Sequence, residues 1–433
     1  MIEKENRDDS PFIATKIHLN DLFYLIALFF IFTSFFLNST LIPEISSNFL
    51  FSGKFLLHLG VLFGFASFIS SKKLTLTSVL LIIIVIPITL LTVHLTWAQS
   101  DLWIFMFMFI CGYSVNRNYI LSSILYIIIF EILLVLVLNK TNVIPDLVYI
   151  RANGAYRHSL GFIYPTDFAA HISYLCFLYG WKKANRFNLI DLILWLTIAC
   201  WLLLVTNARL DVGCIVLAVS LFSFFAHRNR WQKHRYIYLV NWFASISFPV
   251  MLVLSFWLIK LYDNSVNIAI VANNILSGRL SLGSQALALY PISFSGNEVI
   301  ENGLGSFAGN NANRSIYGYL YGYFMIDSSY LRVVIIYGLI SLALVGLIIA
   351  IAVKRAIKER SVFSGVVLIM VALHCFVAQF MLNPSYDLIL MLALTCPREY
   401  NVNYLDCNSG SVAKFFQKIY FSVKLRKKTE RTE

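Results

Sequence analysis

Charge is scarce in this sequence. Only 13% of its 433 residues are Asp, Glu, Lys or Arg, while 59% are hydrophobic. Soluble domains carry about 25% charged residues, so a water-soluble fold of this length is excluded. Cysteine is sparse and badly placed for cross-linking. Cys111, Cys176, Cys200, Cys214, Cys375 and Cys396 lie in or beside apolar runs and Cys407 lies near the end, so no exported disulfide framework is expected. The first 20 residues lack a short apolar core followed by a small-residue cleavage site, so no removable signal peptide is expected either. No paired His or Asp residues stand at coordinating spacing in the polar loops, and neither a metal nor another cofactor is expected.

What fills the chain instead is Leu, Ile, Val, 36 Phe and 23 Tyr in long runs. A bilayer core takes about 20 apolar residues per helical span. Runs such as residues 79–91 are too continuously apolar for the alternating strands of a barrel, so the spans are helices. The fold expected is an all-α polytopic membrane protein with about 12 transmembrane helices and a large extracytoplasmic loop containing short helices. The spans fall near 22–37, 49–69, 76–93, 102–115, 120–138, 160–181, 189–205, 212–226, 236–259, 330–353, 362–382 and 386–396.

Lys and Arg orient these spans. With a cytoplasmic start, 25 of the 34 basic residues fall on inner segments, as the positive-inside rule requires, and both termini are expected to be cytoplasmic. The net charge of +12 therefore needs no nucleic acid to explain it; basic inner loops attract anionic lipid. Residues 1–397 read as one transmembrane domain, with residues 260–329 as the large outer loop. Residues 398–433 read as a basic cytoplasmic tail, in which Val412, Phe415, Phe416, Ile419 and Val423 recur at the spacing of a helix lying on the inner leaflet.

The outer segments are where the chain becomes specific. Between 157 and 167 runs Arg157-His158-Ser159-Leu160-Gly161-Phe162-Ile163-Tyr164-Pro165-Thr166-Asp167, a guanidinium, an imidazole and a carboxylate at the mouth of a span. Ionisable residues there cost roughly 2.5 to 3.5 kcal/mol and mark function by default. Arg157 precedes the sixth span, Arg209 the eighth, and Arg332 lies just inside the tenth. All three helices begin at the outer face, where positive dipole ends and guanidinium forks together suit phosphate. Arg279 joins them from the long loop. There Leu276, Leu280, Leu287 and Tyr290 are spaced for one surface helix, followed by a flexible stretch with Gly296, Gly303, Gly305 and Gly309. Singly, each arginine could equally snorkel to head groups; as a set they run against the topological bias. Asp211 is placed to orient Arg209, and Asp327 to cap the tenth span or to act as a base. Asp167 and His171 are placed to pair along one helix face. Glu131, His58 and His374 are polar residues within spans that line a cavity or bond neighbouring helices.

These residues resemble the Wzy-type polymerases of bacterial surface polysaccharides, which share their architecture with O-antigen ligases. The resemblance covers roughly residues 150–345. It rests on Arg157-His158-Ser159-Leu160-Gly161-Phe162 with Tyr164-Pro165-Thr166, on Thr206-Asn207-Ala208-Arg209, on Ser277-Gly278-Arg279 and on Asp327-Ser328-Ser329-Tyr330. The chain departs from the pattern where Thr166-Asp167 replaces an Asn after Pro and where Ala208 replaces a Ser before Arg. The resemblance implies an enzyme of the bacterial plasma membrane that joins oligosaccharide repeat units carried on undecaprenyl pyrophosphate, at the outer face and without a metal. Arg157, Arg209, Arg279 and Arg332 would grip the pyrophosphate, and Arg157, His158, Asp167 and Asp327 would be the catalytic set. Membrane lipids, a chain-length regulator and a flippase are the partners it implies. A ligase is the nearest rival, but the resemblance gives ligases a His in the large loop, and residues 260–329 contain none. A flippase or other transporter is the second rival, and a binding or scaffold protein the third.

Overall fold

The structure, a computed structural model, describes residues 18–45, 53–70, 100–112, 115, 117–150, 154–228, 230–301, 324–358 and 361–386. The expected span at 76–93, all but the first residue of that at 386–396, the tail helix, and Gly303, Gly305 and Gly309 lie outside these residues. The chain runs α1 (Leu19–Leu37), α2 (Gly53–Ser70), α3 (Ser100–Gly112) and α4 (Arg117–Lys140), then a hairpin of β1 (Val148–Ile150) and β2 (Tyr156–His158). It continues through α5 (Pro165–Lys183), α6 (Leu189–Thr206), α7 (Arg209–Ala226), α8 (Arg230–Asp263), α9 (Asn267–Ile275), α10 (Arg279–Leu289), α11 (Ser329–Lys358) and α12 (Val362–Val377).

Among the described residues seven helices are long and apolar enough to cross a membrane: α1, α2, α4, α6, α7, α8 and α11. Shorter apolar helices, α3 and α12, stand at two further expected spans. The seven keep large apolar side chains on their outsides, such as Tyr126, Phe130 and Val137 on α4, Ile190 and Leu204 on α6, and Val253 and Trp257 on α8. At about 25 cal/mol per Å², that surface favours hydrocarbon over water.

The sixth expected span, 160–181, is α5, and it differs from the rest. Pro165 starts it, the fixed proline φ suiting a first helical position, while residues before it turn. α5 carries Asp167, His171, Ser173, Lys182 and Lys183 and is not among the seven helices long and apolar enough to cross a membrane. The reason is enclosure: α5 packs against α4, α6, α7 and α12, and Phe168, Ala169, Ala170, Tyr174 and Phe177 are fully buried against protein. A helix that meets protein on most sides is free of the compositional demand that lipid makes. His171 does not pair with Asp167; its Nε2 lies 3.2 Å from Ser39 Oγ, and its ring stacks on Tyr386 at 4.0 Å. Of two more polar residues of the spans, Glu131 of α4 accepts from Thr33 of the neighbouring α1, whereas His58 stays within its own helix α2, its Nδ1 meeting the Lys54 carbonyl one turn back at 2.6 Å.

Among its described residues, the long segment after α8 holds two short helices where one was expected. α9 precedes α10, and Asn273 joins them: its Oδ1 accepts the Leu280 and Ser281 amides at 3.0 and 3.1 Å. Leu280 is buried, and Leu276, Leu287 and Tyr290 pack partly buried against the core, so the expected apolar face is present. Beyond α10, residues 291–297 seat against α11. There a π-helical stretch, Val333–Tyr337, and Gly338 at φ 81° interrupt the regular hydrogen-bond ladder. Asn297 N–H donates to the Ile335 carbonyl at 3.0 Å, and the Leu339 and Ile340 amides donate to the Ser293 and Phe294 carbonyls at 3.1 and 3.2 Å. Two glycines permit this approach. A Cβ on Gly296 would stand 1.9 Å from the Ile336 carbonyl oxygen, and one on Gly338 would stand 2.4 Å from Gly296 N.

Candidate functional site

The hairpin and helix ends bring the polar residues together. On β2, Arg157 sits opposite Tyr149 of β1 in the antiparallel register. Arg157 Nε donates to the Thr206 carbonyl at 2.8 Å, at the last residue of α6, where helix dipole and unpaired carbonyls favour a cation. Neighbouring side chains on a strand point to opposite faces, and His158 accordingly turns elsewhere. Its Nδ1 meets Asp146 Oδ2 at 2.6 Å, while Asp146 Oδ1 accepts the Leu160 amide at 2.8 Å. The imidazole thus clasps the hairpin to the turn that enters α5. Tyr149 hydroxyl donates to the Ile163 carbonyl at 2.8 Å and fixes the same turn from the other side.

A cavity of about 270 Å³ opens where these elements converge. Its wall includes Tyr149 and Arg157 from the hairpin, Tyr164 to Asp167 from the start of α5, and Leu210 and Asp211 from the start of α7. Ser277, Arg279 and Leu282 come from the start of α10, Asp327 from just before α11, and His374 to Phe380, except Cys375 and Phe376, from the end of α12. Three helix N-termini therefore face one chamber, an arrangement whose aligned amides favour anions. The volume lies near the lower end of small-ligand pockets.

Arg279 Nε lies 3.4 Å from Asp327 Oδ2, each side chain about one-fifth exposed (20% and 21%). Asp327 does not cap α11; Ser328 holds the N-cap position, and Asp327 is turned to Arg279. Burial pushes the Asp327 carboxyl above its ordinary range, and the Arg279 guanidinium opposes that rise. Asp211 does not orient Arg209. Its Oδ1 lies 2.9 Å from His374 Nε2, and both side chains are buried. Asp167, nearly buried in the first turn of α5, lines the cavity and has no ion pair among the described residues.

Of the residues expected at a site, Arg157, Asp167, Arg279 and Asp327 line this one cavity. Arg332 lies one step behind its wall. Its Nη1 donates to Gln379 Oε1 at 2.9 Å and to Glu301 Oε1 at 2.7 Å, and Gln379 itself faces the cavity. Arg209 and His158 do not line it: Arg209 is exposed, with Nε on Asn207 Oδ1 at 3.2 Å, and His158 serves the hairpin. Neither the bond between Asp211 and His374 nor Gln379 in the wall was expected from the sequence. Among the described residues no three His, Cys, Asp or Glu stand close enough to hold a metal ion.

Fold and cavity together define the class: a mostly helical membrane protein with a charged cavity where several helix ends meet. Compared with protein-family models, with curated proteins and with solved structures, the chain matches none.

Proposed function

We propose that the chain is a polymerase of the bacterial plasma membrane, joining lipid-diphosphate-linked oligosaccharide repeat units at the extracytoplasmic face. The observation that carries this reading is the meeting of Arg157 and Arg279, from distant parts of the chain, in one cavity with Asp167 and Asp327. The distribution of Lys and Arg supports an extracytoplasmic position for this end of the bundle.

The chemistry is a glycosyl transfer. A hydroxyl oxygen of the acceptor sugar bonds to the anomeric carbon of the donor, and the bond from that carbon to the diphosphate oxygen breaks. The electron pair leaves with the diphosphate, and the hydroxyl proton passes to a base. Arg157 and Arg279 meet the charge that gathers on the diphosphate, and fixed donors of this kind act best with little water present. Of the three cavity aspartates, Asp327 is engaged by Arg279 and Asp211 by His374. Asp167 is the remaining carboxylate and is assigned the base, a contribution of about 10² to 10⁴ in rate. Arg332 positions Gln379 and the wall around it, while Arg209 is left for head groups at the cavity's surroundings.

Deleting the protein in its native host and separating surface glycan on a gel tests the reading. Single repeat units in place of a long-chain ladder, restored by the wild-type chain and not by Arg157→Ala or Arg279→Ala, is the expected result. Loss of all exported glycan would mean a transporter instead, and an unchanged ladder would exclude both.

A further inference from the structure

α9 presents an apolar stripe that no described part of the protein covers. Ile268, Val271 and Ile275, three and four residues apart on one side of the helix, are 69%, 58% and 67% exposed. Asn267 and Asn274 border that stripe, and the other side of the helix is the one that packs, with Ala269 fully buried. Three aliphatic side chains in register over two turns, flanked by amides, make the pattern of a helix lying in a bilayer surface.

The chain leading into α9 argues for the same occupant. α8 is among the helices able to cross a membrane, and its outer surface carries the exposed Trp257 and Lys260 near its end, the residue types that settle at head-group level. α8 stops at Asp263 and the chain reverses at once: Ser265 adopts φ 56°, and the Val266 amide donates back to the Leu261 carbonyl at 3.0 Å. Only three residues separate the two helices, so α9 begins at the depth where α8 leaves the hydrocarbon.

From this we infer that α9 is an interfacial helix, its Ile268, Val271 and Ile275 inserted among the lipids of the leaflet next to the cavity. The consequence reaches Arg279. Asn273, on the side of α9 away from the stripe, accepts the first amides of α10, and its own carbonyl accepts Gly278 N–H at 2.8 Å. Arg279 is the first residue of α10 and faces Asp327 in the cavity. Lipid holds α9, α9 holds the start of α10, and Arg279 is thereby kept at head-group depth.

The test uses the full-length protein in liposomes with a fluorescent amino acid introduced by codon suppression at Ile268, Ile275 or, for contrast, Asn267. The quenchers are a phospholipid bearing a nitroxide high on its acyl chain and aqueous iodide. The inference predicts that the lipid nitroxide quenches positions 268 and 275 several-fold more than iodide does, with the order reversed at 267. Strong iodide quenching at 268 and 275 would place the stripe in water and overturn it. Protection from both quenchers would mean that protein covers the stripe, either other parts of this chain or a second copy, and would overturn it equally.

Discussion

If the proposed function holds, Asp327 and an incoming phosphate compete for the same guanidinium, which makes Asp327→Asn an informative perturbation. Nε of Arg279 and Oδ2 of Asp327 are 3.4 Å apart. Unit charges near 4 Å attract by roughly 1 kcal/mol in water and about 4 kcal/mol at the effective dielectric of a protein surface. Both side chains are about one-fifth exposed (20% and 21%) and must shed water to pair. The net restraint on Arg279 is therefore about 1 to 2 kcal/mol, below the Coulomb figure. Asparagine in its place removes that competitor, and affinity for a lipid diphosphate should rise about 5- to 30-fold. Acidity should do the same to the wild type. Because burial raises the Asp327 carboxyl, it takes up a proton at higher pH than an exposed aspartate would, and Arg279 is released as pH falls through that range. The two proteins should thus bind alike in acid and diverge as pH rises, the wild type weakening more steeply than Asp327→Asn. Calorimetric titration of the detergent-solubilised protein with a short-chain prenyl diphosphate sugar measures this. Weaker or unchanged binding by Asp327→Asn at every pH would refute the assignment of Arg279 as a phosphate ligand held in check by Asp327.

Other expectations follow from the same contacts. Arg157→Ala should lower turnover by about 10²-fold or more, while detergent-solubilised yield and monodispersity stay those of the wild type; Arg157→Lys, which keeps charge but loses the fork, should recover only part. Replacing His374 by Ala leaves the buried Asp211 carboxylate without its donor, and thermal unfolding in detergent should report a loss of about 1 to 3 kcal/mol. Gly296→Ala forces a Cβ against the Ile336 carbonyl and should unseat residues 291–297 from α11. It should show as new proteolytic cleavage in that segment and about 1 to 3 kcal/mol of lost stability. Glu131→Gln, which keeps an acceptor for the Thr33 hydroxyl, should stay within about 1 kcal/mol of the wild type in the same thermal unfolding.

Helices that face lipid were legible because lipid imposes one rule on every residue of the exposed face. The run at 120–138 became α4 (Arg117–Lys140) and that at 189–205 became α6 (Leu189–Thr206), each within a turn of its expected ends. α7 starts earlier than its apolar run, at Arg209, because polar residues are at home in a first helical turn beside water. α9 was not foreseen, since the expected surface helix began only at Leu276; three of its residues are asparagines, of which Asn273 has a partner in α10 and the other two border the exposed stripe. At the site, proximity to a span mouth was visible for Arg157 and Arg209 alike. Side-chain direction separates them, since Arg157 stands on a strand that aims it inward while Arg209 turns to Asn207. The pairing of Asp211 with His374 left no local trace, because it joins two helix ends 163 positions apart and depends wholly on how α7 and α12 pack.

Purified protein in liposomes tests most directly whether Arg157 and Arg279 act together on a lipid diphosphate, as proposed. Given its lipid-diphosphate-linked repeat unit, the wild-type chain should build a ladder of lengthening glycans, and folded Arg157→Ala and Arg279→Ala proteins should leave the unit single. A ladder of normal length from both variants, or glycan carried across the bilayer with no new glycosidic bond, would contradict it.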